Sequence, residues 1–239
     1  MPKFMRKRKL VRYYRKRRKR RRKLGRKTSI RKNRVVYREK GLRVCPLPQQ
    51  YYCNMQWSRH IYGAETSAWT LHEYTPTVPD KMDNVTTSGQ NKCLYFDQMN
   101  ALYNHYVVLG WRYDIEFVNL ESEPLQVVVL PWPNGEDPTS NKQIDMQPRA
   151  RSRLLSPVGG KDHFRMTGYV NVSKLFGVKN VEVEEDFWGT GTTSPSRAPR
   201  FYISISNAEG IQVAEFVLNV CISPYVKWFG REMQADPSA

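Results

Sequence analysis

Acidic side chains are what the start of this chain lacks. Of 22 Asp and Glu residues in 239, only Glu39 falls within residues 1–43, which hold 23 of the 39 Lys and Arg. That segment therefore carries a net charge of +22, and the other 196 residues, with 16 basic and 21 acidic side chains, carry −5. The chain is therefore not basic in general; the charge asymmetry is that of a slightly acidic body with a basic tail suited to a polyanion. No run of eighteen apolar residues occurs, so no transmembrane helix and no membrane insertion are expected. The basic N-terminus is not followed by an apolar stretch of the kind a secretory signal needs. Cysteine is scarce as well. Cys45, Cys53, Cys93 and Cys221 form no CxxC pair and no zinc-finger spacing, which predicts buried free thiols in a reducing compartment. Without a secretory signal, the sequons Asn84-Val85-Thr86 and Asn171-Val172-Ser173 are taken as chance matches.

Catalytic patterns are missing too. There is no GxxxxGK[ST], no HExxH and no GxSxG. Gly159-Gly160-Lys161-Asp162 lacks the spacing and the hydroxyl of a phosphate loop, and Gly189-Thr190-Gly191 stands alone in a Ser/Pro-rich loop. The four histidines, His60, His72, His105 and His163, do not pair at metal-ligand spacing on one element. The chain is thus expected to be no enzyme, with no catalytic residue, no metal site and no cofactor. One acidic run, Glu182, Glu184, Glu185 and Asp186, leaves two readings open: hard oxygens for a divalent cation at a subunit contact, or a charged strand edge that discourages aggregation. Acid on the body would also keep a polyanionic cargo on the basic segment's side.

What is present divides at a hinge, "CPLPQQ" at 45–50. Before it, residues 1–43 have too few apolar residues to bury a core and too many like charges to stay compact, so they are expected to be disordered until a polyanion neutralises them. After it, residues 44–239 can bury a core as one domain. "GWRYDIEFVN" at 110–119 alternates Trp111, Tyr113, Ile115 and Phe117 against Arg112, Asp114 and Glu116, the period of a half-buried strand. "LQVVVLPW" at 125–132 and "FYISISN" at 201–207 are further strands, and "IQVAEFVLNVCIS" at 211–223 shifts its apolar parity between Val213 and Phe216, which predicts a bulge. The last two runs read as a hairpin. Weaker strands are expected over Tyr51–Tyr62, Ala68–Tyr74, Phe164–Val172 and Val178–Glu184. One helix is predicted in "LYFDQMNALYNHY", capped by Asp97, with Phe96, Met99, Leu102, Tyr103 and Tyr106 at helical spacing and packed on the sheet. Residues 75–92, 133–162 and 186–200 are long polar loops. The sum is an all-β antiparallel jelly-roll sandwich of about eight strands, with one short helix, long loops and a basic N-terminal arm.

The densest part of the arm, residues 6–27, has 16 basic residues in 22. Guanidinium forks bind phosphate bidentately and ammonium groups add point charge. The nucleic-acid-binding candidates are Arg6, Lys7, Arg8, Lys9, Arg12, Arg15, Lys16, Arg17, Arg18, Lys19, Arg20, Arg21, Arg22, Lys23, Arg26 and Lys27. Tyr13 and Tyr14 could stack on unpaired bases. Nothing is spaced to read base edges, so packaging rather than recognition is expected, with steep salt dependence. The run Arg15, Lys16, Arg17, Arg18, Lys19, Arg20, Arg21, Arg22 and Lys23 also fits a nuclear localisation signal read by host import receptors. An apolar face for lying on a membrane is absent.

This combination resembles the capsid proteins of small circular single-stranded DNA viruses, the circovirus-like group. Beyond the arm, the resemblance rests on "YNHYVVLGWRYDIEFVN" at 103–119 and "MTGYVNVSKLFGVKNVEVEEDFWG" at 166–189. It also rests on the closing pair "FYISISNAEG" and "FVLNVCISPYVKWFG", followed by a short polar tail. It implies one jelly roll that self-assembles into a small icosahedral shell of about 60 subunits, arms inward on a single-stranded DNA genome, located in the virion and, during assembly, the host nucleus. About 60 arms of +22 supply roughly 1,300 positive charges, a scale suited to a genome of one to two thousand nucleotides. Satellite viruses with RNA genomes share the arm-plus-jelly-roll plan, so the choice of DNA comes from the resemblance. The host cell-surface receptor is not specified by any residue. The other reading is a non-enzymatic nucleic-acid-binding protein, or an RNA-satellite-type coat protein, with a basic tail. The two differ in the body: a shell needs self-complementary surfaces, for which Trp132, Trp188 and Trp228 are contact candidates, though each alone is better placed in the core.

Overall fold

The structure, a computed structural model, describes residues 48–64, 69–83, 91–133, 138–207 and 215–231. Its strands are β1 (Gln50–Asn54), β2 (Trp57–Ala64), β3 (Trp69–Tyr74), β4 (Tyr103–Asn119), β5 (Leu125–Trp132), β6 (Arg151–Leu155), β7 (His163–Asn171), β8 (Trp188–Gly189), β9 (Arg200–Asn207) and β10 (Glu215–Arg231). Three one-turn helices, α1 (Phe96–Asn100), α2 (Asn141–Asp145) and α3 (Val172–Phe176), sit in the connections.

All pairings are antiparallel. β1 and β2 lie along the same side of β10, against Tyr225–Phe229 and Glu215–Ile222. They behave as one strand broken at Met55 and Gln56. Pro224 explains the break: its carbonyl accepts from the Met55 amide at 2.9 Å, and proline has no N–H to return the bond. With β1 and β2 counted as one strand, the first sheet runs β1/β2–β10–β4–β7 and the second β3–β9–β5–β6. Eight strands interleaved in this order across two sheets make a jelly roll. The two-residue β8 extends the first sheet beside Tyr106 and Val107 of β4.

The alternation in β4 is as expected: Trp111, Tyr113, Ile115 and Phe117 are buried, and Arg112 and Glu116 are exposed. These rings meet those of the facing sheet and of β10. Tyr113 packs on Phe201 at 5.0 Å between centroids, Trp111 on Phe201 at 6.3 Å, and Phe117 stacks on Phe216 at 5.4 Å. Burying each such side chain contributes about 1.5–3 kcal/mol, which makes this layer the main cohesive element of the sandwich.

Several expectations change. The final two strands are not a hairpin: β9 pairs with β3 and β5 in the second sheet, and β10 pairs with β1, β2 and β4 in the first. Their adjacency in sequence is a crossing between sheets. The true neighbouring pair is β5 with β6, and β6 lay inside a predicted loop because its residues, RSRLL, show no period. It is an edge strand, exposed except for Leu155, and carries Arg151 and Arg153, as edges that resist pairing do. The helix over "LYFDQMNALYNHY" is only α1. Tyr95, at φ 66°, precedes it without a side-chain cap bond, while Asp97 pairs with Lys92 at 2.8 Å rather than capping. Tyr103 and Tyr106 belong to β4. Their packing was nevertheless the expected one, since Phe96 meets Tyr106 at 5.8 Å and Trp228 at 5.6 Å.

Residues 178–184 form no strand, because Val181 is buried, Val183 faces solvent, and Asn180 Oδ1 accepts from the Glu182 amide at 3.0 Å in a local turn. The parity change between Val213 and Phe216 falls partly outside the described residues; a register shift does occur further on, between Tyr225 and Val226, opposite Gly110 and Val108. Leu109 is the extra residue there, and it switches β4's inward parity from Tyr106 and Val108 to Trp111 and Tyr113. Finally, β9 is buried on both faces. Ile144 of α2 closes over Val128, Leu130 and Tyr202 as a second, smaller core.

Candidate nucleic-acid interface

The phosphate-binding candidates at 6–27, the import run at 15–23, Cys45 and the sequon at 84–86 all lie outside the described residues. What the structure supplies is the body to which that basic segment is joined. Within that body the Pro48 carbonyl accepts from Tyr103 Oη at 2.8 Å, and two residues later β1 begins.

β1 is an edge strand of the first sheet, paired with β10. Side chains alternate across a strand. On β10 the buried Val226 and Trp228 alternate with half-buried Tyr225, Lys227 and Phe229. In register beside these three on β1 are Asn54, Tyr52 and Gln50. Tyr52 and Tyr225 stack with centroids 6.1 Å apart. The Lys227 ammonium lies 5.7 Å from the Tyr52 ring and 5.9 Å from Phe229, within cation–π range. Phe229 also meets His105 at 5.5 Å and Trp188 at 5.0 Å. Lys227 bonds Glu182 at 2.6 Å. Burial pulls the Lys227 pKa down, but the Glu182 hydrogen bond and charge outweigh it, so the ammonium is held more firmly than usual. Across the same face, Arg165 of β7 reaches Asp114 at 2.8 Å and Glu116 at 3.5 Å, and holds the Asp114 carboxyl below its ordinary range.

Glu182 to Asp186 do not form a strand edge. Glu182 is taken by Lys227, and Arg197 lies 3.3 Å from Asp186 and 4.0 Å from Glu184. Among the described residues no group of three or more His, Cys, Asp or Glu could hold a metal ion, and none of the helices is long and apolar enough to cross a membrane. The thiols of Cys53 and Cys93 are pushed up by burial, the reverse of what a nucleophile needs. Cys93 is buried, while Cys53 and Cys221 are only half-buried. Of the three contact candidates, Trp228 is wholly in the core, and Trp132 and Trp188 are half-buried. Among the described residues, the most exposed large apolar side chains are others: Tyr95, Val183, Met146 and Leu154, each about 70% exposed. Sequence reasoning missed them because an isolated apolar residue in a loop or an aperiodic edge has no pattern to mark it.

No family model matches the chain, and no curated protein matches it. Solved structures do. A chain of the empty head of turnip yellow mosaic virus aligns over 87% of this chain and 95% of its own, at 13% identity and a TM-score of 0.45. Tobacco necrosis virus aligns over 77% and 98%, at 8% identity and 0.45. The virus-like particle of a giant freshwater prawn nodavirus aligns over 78% and 97%, at 9% identity and 0.45. These scores are too low to argue from, and the fold assignment rests on the strand order alone.

Proposed function

We propose that this chain is a viral capsid protein whose jelly roll, within residues 44–239, closes a small icosahedral shell and whose segment 1–43 condenses the genome. The observation that carries the reading is the partition of charge between a +22 segment and a −5 remainder that folds as an eight-stranded jelly roll. A module that bound nucleic acid on its folded surface would put cations there. Here the body's acids outnumber its bases, and Arg165, Arg197 and Lys227 are each engaged with a carboxylate of the body itself, which leaves the bulk of the free positive charge on segment 1–43. The resemblance in sequence to circovirus-like capsid proteins favours single-stranded DNA as cargo, and the cluster at 15–23 suits import into the host nucleus. Shell contacts fall to the solvent-facing apolar residues, Met146 and Leu154 on one flank and Tyr95 and Val183 elsewhere.

The test is size-exclusion chromatography of the full chain with absorbance at 260 and 280 nm and negative-stain imaging of the leading peak. Uniform megadalton particles rich in nucleic acid are expected. A monomer or small oligomer that binds nucleic acid without closing a shell would sink the capsid reading in favour of a binding protein.

A further inference from the structure

Three tyrosines on the outward face of the first sheet have no role in the core. Tyr52 of β1 and Tyr169 of β7 are 43% and 58% exposed, and Tyr225 of β10 lies half-buried between them. Tyr52 and Tyr225 are near-parallel, with 26° between their planes. Tyr225 is in register with Gly110 of β4, and Gly110 with Asn171 of β7. Tyr169, one row along, reaches back over Gly110. A β-carbon at 110 would sit 2.8 Å from Tyr169 Cζ and nearer still to its hydroxyl. Only a residue without a side chain lets that ring lie along the sheet, continuing the line of Tyr225 and Tyr52. The result is a row of aromatic surface crossing all four strands.

The surroundings identify its occupant. Each nearby carboxylate is already engaged: Asp114 and Glu116 by Arg165, Glu182 by Lys227. Arg112, exposed and in register with Tyr169, stands beside the row as a cation for a phosphate. The chain that enters β1 is the +22 segment. Tyr52 follows Arg43 by nine positions, a span of at most about 32 Å. A strand neutralised by that segment is thus tethered, through the chain, to the strand that carries Tyr52. Every base has a π-face, so an aromatic row on a sheet holds unpaired bases without regard to sequence.

We propose that Tyr52, Tyr225 and Tyr169 form a stacking platform for unpaired bases of a single-stranded nucleic acid held by the basic segment. The inference rests on the packaging reading above. Its test compares full-length wild type, Y52L/Y169L and Y52F/Y169F. Fluorescence anisotropy at about 0.3 M salt measures binding of a 20-nucleotide oligo-dT and of an abasic strand of equal length and charge. Wild type and the Phe variant should favour the base-bearing strand by about tenfold or more. The Leu variant should lose that preference while keeping the same salt slope, which counts phosphates. Photocrosslinking of wild type to oligo-dT should place adducts on Tyr52, Tyr169 or Tyr225, whether or not the Leu variant folds. An unchanged preference in a folded Leu variant, or adducts confined to residues 1–43, overturns the platform and leaves packaging standing. A Leu variant that loses self-assembly but keeps the preference makes the row a contact between copies and also overturns it. Wild type that binds neither strand removes the packaging reading, and the platform with it.

Discussion

Gly168 lies inward on β7, in register with Tyr113 of β4. A β-carbon there would lie 2.7 Å from Tyr113 Cε1 and closer still to Cζ and Oη. Tyr113 cannot move away, because its ring is packed on Phe201 at 5.0 Å and it is almost wholly buried. Two opposing effects set the magnitude of Gly168→Ala. Replacing glycine narrows the unfolded ensemble and stabilises by about 0.4–1 kcal/mol where the backbone permits. Forcing a methyl into a filled space destabilises by about 1–3 kcal/mol. The second wins, for a net loss of about 1–2 kcal/mol. Tyr113→Leu alone should destabilise through the cavity it leaves. In the double variant the added methyl has room, so the loss should fall short of the sum of the singles by about 1 kcal/mol or more. Urea unfolding followed by far-UV circular dichroism measures this, on full-length protein kept unassembled, since assembly would add its own linkage. Gly168→Ala as stable as wild type, with a coupling below about 0.5 kcal/mol, would refute the view that this glycine exists to admit the ring.

Other outcomes follow from the same structure. Deleting residues 1–43 should leave the β-sheet circular dichroism signal unchanged, because that segment has too few apolar residues and too many like charges to contribute to a core; loss of that signal would show the arm to be part of the fold. Trp228→Ala should destabilise by about 3–5 kcal/mol in the same urea assay, since Trp228 is fully buried against Phe96 and Tyr106. Arg165 lowers the Asp114 pKa in the folded state, so this pair's stabilisation is present above the ordinary Asp range near 3.9 and is lost as pH falls through the lowered value. Arg165 is more than half exposed, so the effect is small; Asp114→Asn should flatten the stability profile below about pH 4, and an identical profile would remove the pair from the account.

The sequence made the strands legible wherever one face meets the core and the other meets solvent. Residues 111–117 of β4 show this best, because period two is the direct imprint of half-burial. It misled where that condition fails. β6 has no buried face to alternate against, and β9 is buried on both sides because α2 covers the second sheet, so its Tyr202 and Ser204 look outward in sequence and lie inward in space. The pairing of β10 is not legible for another reason: adjacency in sequence favours hairpins, whereas β9 and β10 lie in different sheets.

The candidate interface divides along the same line. Charge needs no fold to be read, so the basic segment stands out from composition alone. The tyrosine row depends on register: Tyr52, Tyr169 and Tyr225 are far apart in the chain, and only the pairing of β1, β10, β4 and β7 sets them in one line with Gly110 beneath. A glycine in mid-strand was the available signal. Gly110 opens the most regular strand of the sequence with no side chain to pack, and a strand-interior glycine marks a place where something else comes close to the backbone. Here that something is the ring of Tyr169. The same logic makes Gly110→Ala a second probe beside the tyrosine variants. It leaves all three rings in the chain, but its β-carbon would meet the Val170 carbonyl at 2.6 Å as well as the Tyr169 ring, so with the β-sheet circular dichroism signal retained base preference should fall while ring composition, net charge and salt slope stay constant.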